Sequence, residues 1–325
     1  MENLHKKKLA FYLCVTLGLT VVFLLISVFF PKIFNKDISV KEDLSERNYY
    51  STLLTTQNLL SDWKTDEVLG ISNEPDVSGE SALLVDINSG KVVYEKNSTQ
   101  KKKIASLAKI MTAVVVLEHK NIDDEITISS KAAVVGENDM GISAGEVYTL
   151  EELLYGLILN SGNDAAYAIS EGVAGDSSAF VKWMNMKAKE LNLGNTYFAD
   201  PSGLDDESYS TASDLVKLAR YAMQKDEFRK IVGTVSIELP YSEKHKYLNL
   251  ENQTNLLTTY PGVAGIKTGY TEEAGYCLVT YAKNENVELV GAVLKSENRK
   301  FDMIWMLDWG FSVLGLKIEH PLLVF

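Results

Sequence analysis

Residues 101–120 read KKKIASLAKIMTAVVVLEHK and form a long apolar run between charged ends. Inside the run the polar side chains are Ser106, Lys109 and Thr112. A helix that is apolar on all sides is typical of the core of a domain, so this pattern predicts a buried central helix. Ser106 and Lys109 would then lie on one face of its first turn. Burial disfavours a charged lysine and the helix dipole favours negative charge here, so Lys109 could act as a base toward Ser106.

The Ser-x-x-Lys pattern is weak by itself because the chain contains it as SDWK from position 61, STQK from position 98 and SLAK from position 106. The first two have polar surroundings, in which the lysine would remain solvated and charged. The apolar setting distinguishes the third. Even there, a serine that caps the helix and a lysine whose amine reaches solvent remain an alternative to catalysis.

Two further motifs follow the first in the chain. The segment NSGNDAA places Ser161 and Asn163 in a tight glycine turn between two predicted helices, where both side chains could face a cleft. The segment GIKTGYT contains Lys267, Thr268 and Gly269 and precedes a predicted strand, so we expect it on a strand at the edge of that cleft. Its glycine would let a substrate backbone approach closely. Either motif could be accidental, but the three in this order form a strong combined signal.

Predicted strands lie at the two ends of the body of the chain, with predicted helices between them. The pairs ALLVDI and KVVYEK, and YCLVTYAK and VELVGAVLK, each flank a short polar turn that is typical of a β-hairpin. One helix is predicted to begin with a capping box of Thr149 and Glu152, and another to run from Asp176 to Gly194. We therefore predict an α+β domain whose antiparallel sheet is assembled from both ends and is flanked by helices.

The N-terminal region predicts membrane attachment. Residues 9–30 form an uncharged apolar stretch that follows three lysines, which favours a single membrane-spanning helix with the rest of the chain outside the cell. A cleaved signal peptide is the alternative, although the run is long and lacks a small-residue cleavage site. The predicted organisation is a cytoplasmic segment 1–8, a membrane anchor 9–30, an extracytoplasmic stem 31–76 and a catalytic domain 77–325.

The composition excludes several classes of function. The formal net charge of −12 argues against nucleic acid as a partner, because nucleic-acid-binding proteins are usually basic. The four histidines are scattered without metal-ligand spacing, so we expect no metal site. Neither Cys14, in the apolar N-terminal stretch, nor Cys277, in a predicted strand, has the sequence context of a catalytic thiol.

The three motifs together resemble the penicillin-recognising serine enzymes, and most closely the D-alanyl-D-alanine carboxypeptidases of serine peptidase family S11. The similarity extends from about Ser81 to Gly310 and includes ALLVDINSGKVVYEKN, IASLAKIMTA, LILNSGNDAA, FADPSGLDDESYSTASDL, GIKTGYTEEAGYCLV and LDWGF. This resemblance implies a β-lactamase/DD-peptidase-like fold with a helical subdomain and no cofactor. It also implies peptidoglycan stem peptides ending in D-Ala-D-Ala as substrates, β-lactams as covalent inhibitors, and a location at the bacterial cell membrane.

The resemblance implies catalytic roles for the first two motifs. Ser106 would attack the carbonyl carbon between the two D-alanines, and Lys109 would take its proton. Ser161 would relay a proton to the leaving amine, and Asn163 would hold the substrate amide. The backbone N–H groups of Ser106 and Tyr270 would form the oxyanion hole.

The resemblance also implies a site for the terminal carboxylate of the substrate. Lys267 and Thr268, followed by Gly269, match the family residues that bind this group. Arg299 falls where family members carry an arginine near the same pocket, and an arginine on a surface helix is the alternative interpretation.

Other functions stay open at this point. A class A β-lactamase would carry Glu-x-x-Leu-Asn, and the nearest match, AKELN, has Ala188 in place of the glutamate, which predicts slow release of a bound penicillin. An anchored wall-binding scaffold would not need a buried lysine beside a serine. An endopeptidase would use the same acyl-enzyme, so the sequence does not separate it from a carboxypeptidase.

Overall fold

The computed structural model describes residues 74–320. The predicted anchor and most of the predicted stem lie outside these residues. Within the described part of the chain, no helix has the length and apolar character needed to cross a membrane. The domain boundaries that we infer from the sequence therefore stay predictions.

The strands form a main antiparallel sheet and three small two-stranded ladders. Within residues 74–320 the main sheet has five strands in the order β2-β1-β11-β10-β9. The strands are β1 (Ser81–Asp86), β2 (Lys91–Lys96), β3 (Lys102–Lys103), β4 (Glu125–Thr127), β5 (Val147–Thr149), β6 (Tyr209–Ser210), β7 (Ser236–Leu239), β8 (Leu248–Glu251), β9 (Val263–Thr271), β10 (Gly275–Asn284) and β11 (Val287–Ser296).

Both predicted hairpins are confirmed, as β1-β2 and β10-β11. Strand β1 pairs with β11, with Ser81 opposite Leu294, so the two ends of the domain meet in the middle of the sheet. Every residue of β1 is buried, because helices cover both faces of the sheet at this point. Strand β9, which carries the Lys-Thr-Gly motif, lies at one edge and pairs with β10.

The helices connect and cover these strands. They are α1 (Lys109–His119), α2 (Leu150–Ile158), α3 (Asn163–Ala174), α4 (Ser177–Glu190), α5 (Ala212–Ala222), α6 (Asp226–Val232), α7 (Leu256–Thr259) and α8 (Arg299–Val313). The predicted capping box of Thr149 and Glu152 is present at the start of α2, and Asp176 caps α4 as predicted.

The predicted end of α4 at Gly194 is wrong. The α-helix ends at Glu190, and Asn192 then adopts a left-handed φ of 53°. Asparagine tolerates this conformation better than most residues, so the chain can turn away before the glycine is reached.

Two apolar cores lie on opposite faces of the main sheet. Helix α8 packs its buried side chains, including Met303, Leu307 and Phe311, against one face. Helices α1 to α6 contribute to the larger core on the other face. The three sequence motifs lie at the start of α1, at the start of α3 and on β9, where the larger core reaches the free edge of the sheet. This is the predicted α+β arrangement.

Candidate active site

The Lys109 amine lies at the centre of the candidate site. Its Nζ is 2.9 Å from Ser106 Oγ, 2.7 Å from Asn163 Oδ1 and 2.8 Å from the Ser202 carbonyl oxygen. The two amide oxygens can only accept hydrogen bonds. When the amine is neutral, its two N–H groups satisfy these oxygens and its lone pair is left facing the Ser106 hydroxyl. This geometry would allow Lys109 to act as a base toward Ser106.

The pKa of the Lys109 amine is lower than that of an ordinary lysine. Burial lowers the pKa of Lys109 to about 7, although the negative charges of Asp200, Asp164 and Glu137 act in the opposite direction. An ordinary lysine has a pKa of about 10.5 and is almost entirely charged at pH 7. In this protein a substantial fraction of the amine is therefore free to accept a proton near pH 7.

Ser106 lies in a turn that differs from the predicted helix. Ala105–Ala108 form a 3₁₀ turn, and the α-helix begins only at Lys109. Ala105 has a positive φ of 48°, which is uncommon for a residue with a side chain. The first turn of the predicted α-helix is therefore wrong, although the buried helix that follows it is confirmed.

Two glycines allow the backbone of neighbouring segments to pack closely against this strained turn. A Cβ atom on Gly203 would lie 1.9 Å from the Ala105 carbonyl oxygen, and a Cβ on Gly269 would lie 2.9 Å from that of Ile104. Only glycine lets the neighbouring backbones approach so closely. We predicted from the sequence that Gly269 makes room for substrate, and the structure adds that it makes room for the Ser106 turn.

The Ser-Gly-Asn motif forms the predicted turn between α2 and α3. Ser161 has a φ of 59°, and Asn163 begins α3. The Asn163 backbone N–H donates to the Asn138 carbonyl oxygen at 2.8 Å, and its Nδ2 donates to that of Gly136 at 3.0 Å. Ser161 is buried, and its Oγ has no hydrogen-bond partner within residues 74–320. A buried hydroxyl without a partner is unusual, and a catalytic role is one explanation for it.

Lys267 is a second buried amine, on β9. Its Nζ donates to the Thr268 carbonyl oxygen at 3.1 Å. Burial lowers the pKa of Lys267 well below its usual value, and the positive charges of Lys109 and Arg299 lower it further. An anionic ligand beside this amine would relieve both effects, so the position favours binding of a carboxylate.

Strand β9 separates the candidate site residues into two groups. Lys267 lies opposite Val279, which belongs to the core that contains α1, whereas Thr268 lies opposite Leu278, which belongs to the core beneath α8. Side chains alternate along a strand, so Lys267 is on the side of Ser106 and Thr268 is on the other side.

A polar cavity of about 360 Å³ lies on the Thr268 side. Its lining includes Thr268, Tyr276, Asn298, Arg299 and Lys300. The cavity begins at the free edge of the sheet. Its lining contains the basic residues Arg299 and Lys300 and one acidic residue, Glu297, so Arg299 and Lys300 offer partners for a small anionic group.

Arg299, at the start of α8, connects this cavity with the Lys-Thr-Gly strand. Its Nη1 donates to the Gly269 carbonyl oxygen at 2.6 Å, and its guanidinium lies 5.3 Å from the ring centre of Tyr276. Burial lowers the pKa of Arg299. Tyr270 is exposed, and its ring packs against Tyr276 with centroids 4.7 Å apart. Gly269 on β9 and Tyr276 on β10 give Arg299 a defined position beside the cavity.

The sequence analysis did not identify the turn from Asp200 to Asp205. Within this turn, the Ser202 carbonyl oxygen is the third hydrogen-bond partner of Lys109 Nζ. Asp200 accepts hydrogen bonds from the backbone of Ser202 and Gly203, as an aspartate at the start of an Asx turn does. The sequence DPSGL carries that signal. Nothing in it indicates that the Ser202 carbonyl contacts Lys109, because a backbone carbonyl has no sequence signature.

The sequence profile of peptidase family S11, described as D-alanyl-D-alanine carboxypeptidase, matches residues 70–298. The chain belongs to this family. It is 38% identical over 252 residues to the D-alanyl-D-alanine carboxypeptidase DacF of Bacillus subtilis, covering 75% of this chain and 64% of that protein. It is 34% identical over 233 residues to a D-alanyl-D-alanine endopeptidase of Escherichia coli, covering 67% of this chain and 72% of that protein.

A solved structure also resembles this S11 protein. The crystal structure of the Streptomyces K15 DD-transpeptidase superposes with a TM-score of 0.70 at 31% identity, covering 74% of this chain and 99% of that one. The fold is therefore that of the DD-peptidases, with an antiparallel sheet flanked by helices. The chain spans only 64% of the length of the Bacillus relative.

Proposed function

We propose that the protein is a serine-type D-Ala-D-Ala carboxypeptidase, which removes the terminal D-alanine from peptidoglycan pentapeptide stems through an acyl-enzyme on Ser106. The observation that carries the proposal is the contact between the buried Lys109 amine and Ser106 Oγ at 2.9 Å. Membership of the S11 family supports the substrate class.

Acylation begins when neutral Lys109 takes the proton of the Ser106 hydroxyl. Ser106 Oγ forms a bond to the carbonyl carbon between the two D-alanines, and the oxyanion is held by the N–H groups of Ser106 and Tyr270. The carbon–nitrogen bond then breaks, and the proton passes from Lys109 through Ser161 to the leaving amine. The unpartnered Ser161 Oγ supports this relay, because the hydroxyl is free to bond with a bound substrate.

Hydrolysis completes the cycle. A water molecule attacks the ester carbon, Lys109 takes the proton of this water, and the bond to Ser106 Oγ breaks as that oxygen regains a proton. Ala188, which stands where a class A β-lactamase would carry its deacylating glutamate, is buried within the core in α4. The missing glutamate in this sequence match, rather than the position of Ala188, is the basis for proposing slow release of a penicillin from Ser106.

The terminal carboxylate of the substrate would bind at the edge of β9. Lys267 supplies a buried amine on one side of the strand, and Thr268 and Arg299 line the polar cavity on the other. Asn163, which already accepts from Lys109, would hold the substrate amide through its side chain. Gly269 keeps the strand close to the Ser106 turn, so both ends of the scissile dipeptide can be engaged together.

An endopeptidase is the second candidate function. The cavity beyond Thr268 is larger than a carboxylate group requires, so a substrate that continues past the terminal D-alanine could extend into it. The Escherichia coli endopeptidase among the relatives favours the same alternative. In either case we propose that residues 9–30 anchor the protein in the bacterial membrane with the catalytic domain outside, as the sequence predicts.

Covalent labelling tests the proposal. The full-length protein in detergent is incubated with a fluorescent penicillin, and label is followed in a denaturing gel for wild type, Ser106→Ala and Ser98→Ala. We expect label on the wild type and on Ser98→Ala, whose Ser-x-x-Lys pattern lies outside the site, and none on Ser106→Ala. Absence of label on the wild type would contradict an acyl-enzyme. Release of D-alanine from a pentapeptide, compared with cleavage of a cross-linked dimer, separates the carboxypeptidase from the endopeptidase.

A further inference from the structure

Asp200 lies in the loop between α4 and β6 and forms the centre of a compact turn. Its side chain is buried, and Oδ1 accepts from the backbone N–H groups of Ser202 and Gly203 at 2.7 and 2.5 Å. The Ser202 hydroxyl donates to the same oxygen at 3.1 Å, and the backbone N–H of Asp205 donates to Oδ2 at 2.6 Å. The carboxylate therefore organises the backbone of residues 200–205.

This turn holds the start of α1. The Ser202 carbonyl oxygen accepts from Lys109 Nζ at 2.8 Å, and the Pro201 carbonyl oxygen accepts from Thr112 Oγ1 at 2.6 Å. Gly203 packs directly against the strained Ala105 backbone. One carboxylate thus shapes a loop that contacts both the Ser106 turn and the first turn of α1.

Asp200 is also an important counter-charge for the Lys109 amine. Among the charged groups that act on Lys109, Asp200 has the largest effect, ahead of Asp164 and Glu137, and all of these raise the pKa of the amine against the effect of burial. Lys267, on β9, is the other buried amine near Lys109, and a positive charge on Lys109 lowers the pKa of Lys267.

The other groups near these carboxylates occupy separate positions. Tyr167 faces Asp200 from α3, where Asp200 contributes to raising the pKa of the phenol. Asp164, at the start of the same helix, accepts from the backbone N–H groups of Met140, Gly141 and Ile142 and so organises the loop of residues 140–142. Asp200 is the carboxylate that shapes the wall carrying the Ser202 carbonyl.

We propose that Asp200 is a positioning residue for acylation of Ser106, because its carboxylate holds the Ser202 carbonyl on the Lys109 amine and supplies a counter-charge to that amine. This inference rests on the proposed function. It extends the proposed function by assigning control of Lys109, the proposed base, to Asp200, which would not contact the substrate.

The inference predicts a change in the pH profile of acylation. Asp200→Asn retains an oxygen for the N–H groups of Ser202 and Gly203 but removes the negative charge. Lys109 then loses its proton at lower pH, so the acid limb of the profile moves to lower pH by at least about half a unit. The maximal rate falls several-fold because the amide cannot also accept from the Asp205 N–H.

The experiment measures the second-order rate of acylation by a fluorescent penicillin between about pH 5 and pH 9 with the full-length protein in detergent. Asp200→Glu retains the charge, so we expect its acid limb near that of wild type even if its rate is lower. Ser202→Ala loosens the turn without removing charge, and Asp205→Asn removes an exposed carboxylate from the same loop. We expect neither of these controls to shift the limb.

The outcomes separate this inference from the proposed function. No labelling of the wild type at any pH contradicts the proposed function itself. If the wild type is labelled but the acid limb of the pH profile does not shift in Asp200→Asn, only the proposed role of Asp200 is overturned. Should Asp200→Asn fold poorly, Asp200→Ser is the second neutral variant and is expected to show the same shift. Unfolding of both neutral variants would assign Asp200 a purely structural role and would also overturn the proposal.

Discussion

At the scale of single residues, the proposed chemistry depends on a lysine that the fold shields from water. Lys109 is fully buried, yet its amine is surrounded by polar atoms of Ser106, Asn163 and Ser202. Burial disfavours the ammonium, while the acceptors satisfy the N–H groups of the neutral amine. The same environment that lowers the pKa of Lys109 therefore makes its protonated form costly for the folded state.

This cost predicts that Lys109 makes a pH-dependent contribution to stability. The unfolded lysine keeps its proton up to about pH 10.5, whereas the folded one loses it near pH 7. Between these values the unfolded state binds more protons, so stability rises with pH. The free energy of unfolding of wild type relative to Lys109→Met should rise by roughly 2 kcal/mol between about pH 7 and pH 9.

Urea unfolding of both proteins at several pH values measures this difference. Lys182→Met, at an exposed position on α4, is the matched control, and its difference from wild type should not change with pH. A difference between wild type and Lys109→Met that stays constant across this range would mean that Lys109 remains charged in the folded protein.

At the scale of elements, the position of β9 against the Ser106 turn sets the active-site geometry. Gly269 is the point of contact, since a Cβ there would lie 2.9 Å from the Ile104 carbonyl oxygen and 3.4 Å from Ala105 Cβ and Leu107 Cγ. The strand and the turn must therefore separate by a few tenths of an ångström to accept any side chain. Small displacements of this kind slow a reaction because the reacting groups must be held in a productive geometry.

Gly269→Ala should lower the rate of acylation by a penicillin about ten-fold or more, while the free energy of unfolding falls by about 1–3 kcal/mol. Gly194→Ala is the control, because Gly194 is exposed and a Cβ there meets no atom within 4 Å. Acylation at the wild-type rate in Gly269→Ala would show that the spacing between β9 and the turn has no influence on the reaction.

At the scale of the whole molecule, Asp302 connects parts of the chain that are far apart in sequence. Its Oδ1 accepts from the Ser78 backbone N–H at 2.9 Å, and its Oδ2 accepts from the Gly79 N–H at 2.9 Å and the Ser296 hydroxyl at 2.5 Å. It is buried at the start of α8, beside the junction of β1 and β11. The carboxylate thus joins the first described residues to the last strand and the last helix.

Asp302→Ala should lower the free energy of unfolding by about 3 kcal/mol, because it leaves buried N–H groups without acceptors. Urea unfolding of the full-length protein in detergent measures the loss. Ser312→Ala, at an exposed position on the same helix, should change stability by less than about 0.5 kcal/mol. A loss below about 1 kcal/mol in Asp302→Ala would mean that water replaces the carboxylate and that the ends of the domain are held by the sheet alone.

The sequence by itself determined those features that depend on local pattern. The turn residues and β-rich runs predicted both hairpins, and Thr149 with Glu152 predicted the start of α2. The three motifs in order led to the S11 family. These predictions succeeded because hydrogen bonds to near neighbours and the alternation of apolar side chains leave a direct signal in the order of the residues.

Only the tertiary structure decided how these motifs meet. Lys109 donates to the carbonyl oxygen of Ser202, which is 93 positions away in the chain. Arg299 donates to the carbonyl oxygen of Gly269, which is 30 positions away. A carbonyl is present at every residue, so no pattern marks the one that will accept a distant amine. The strained φ of Ala105 depends in the same way on close contact with Gly203, which exists only once the loop from Asp200 is packed against α1.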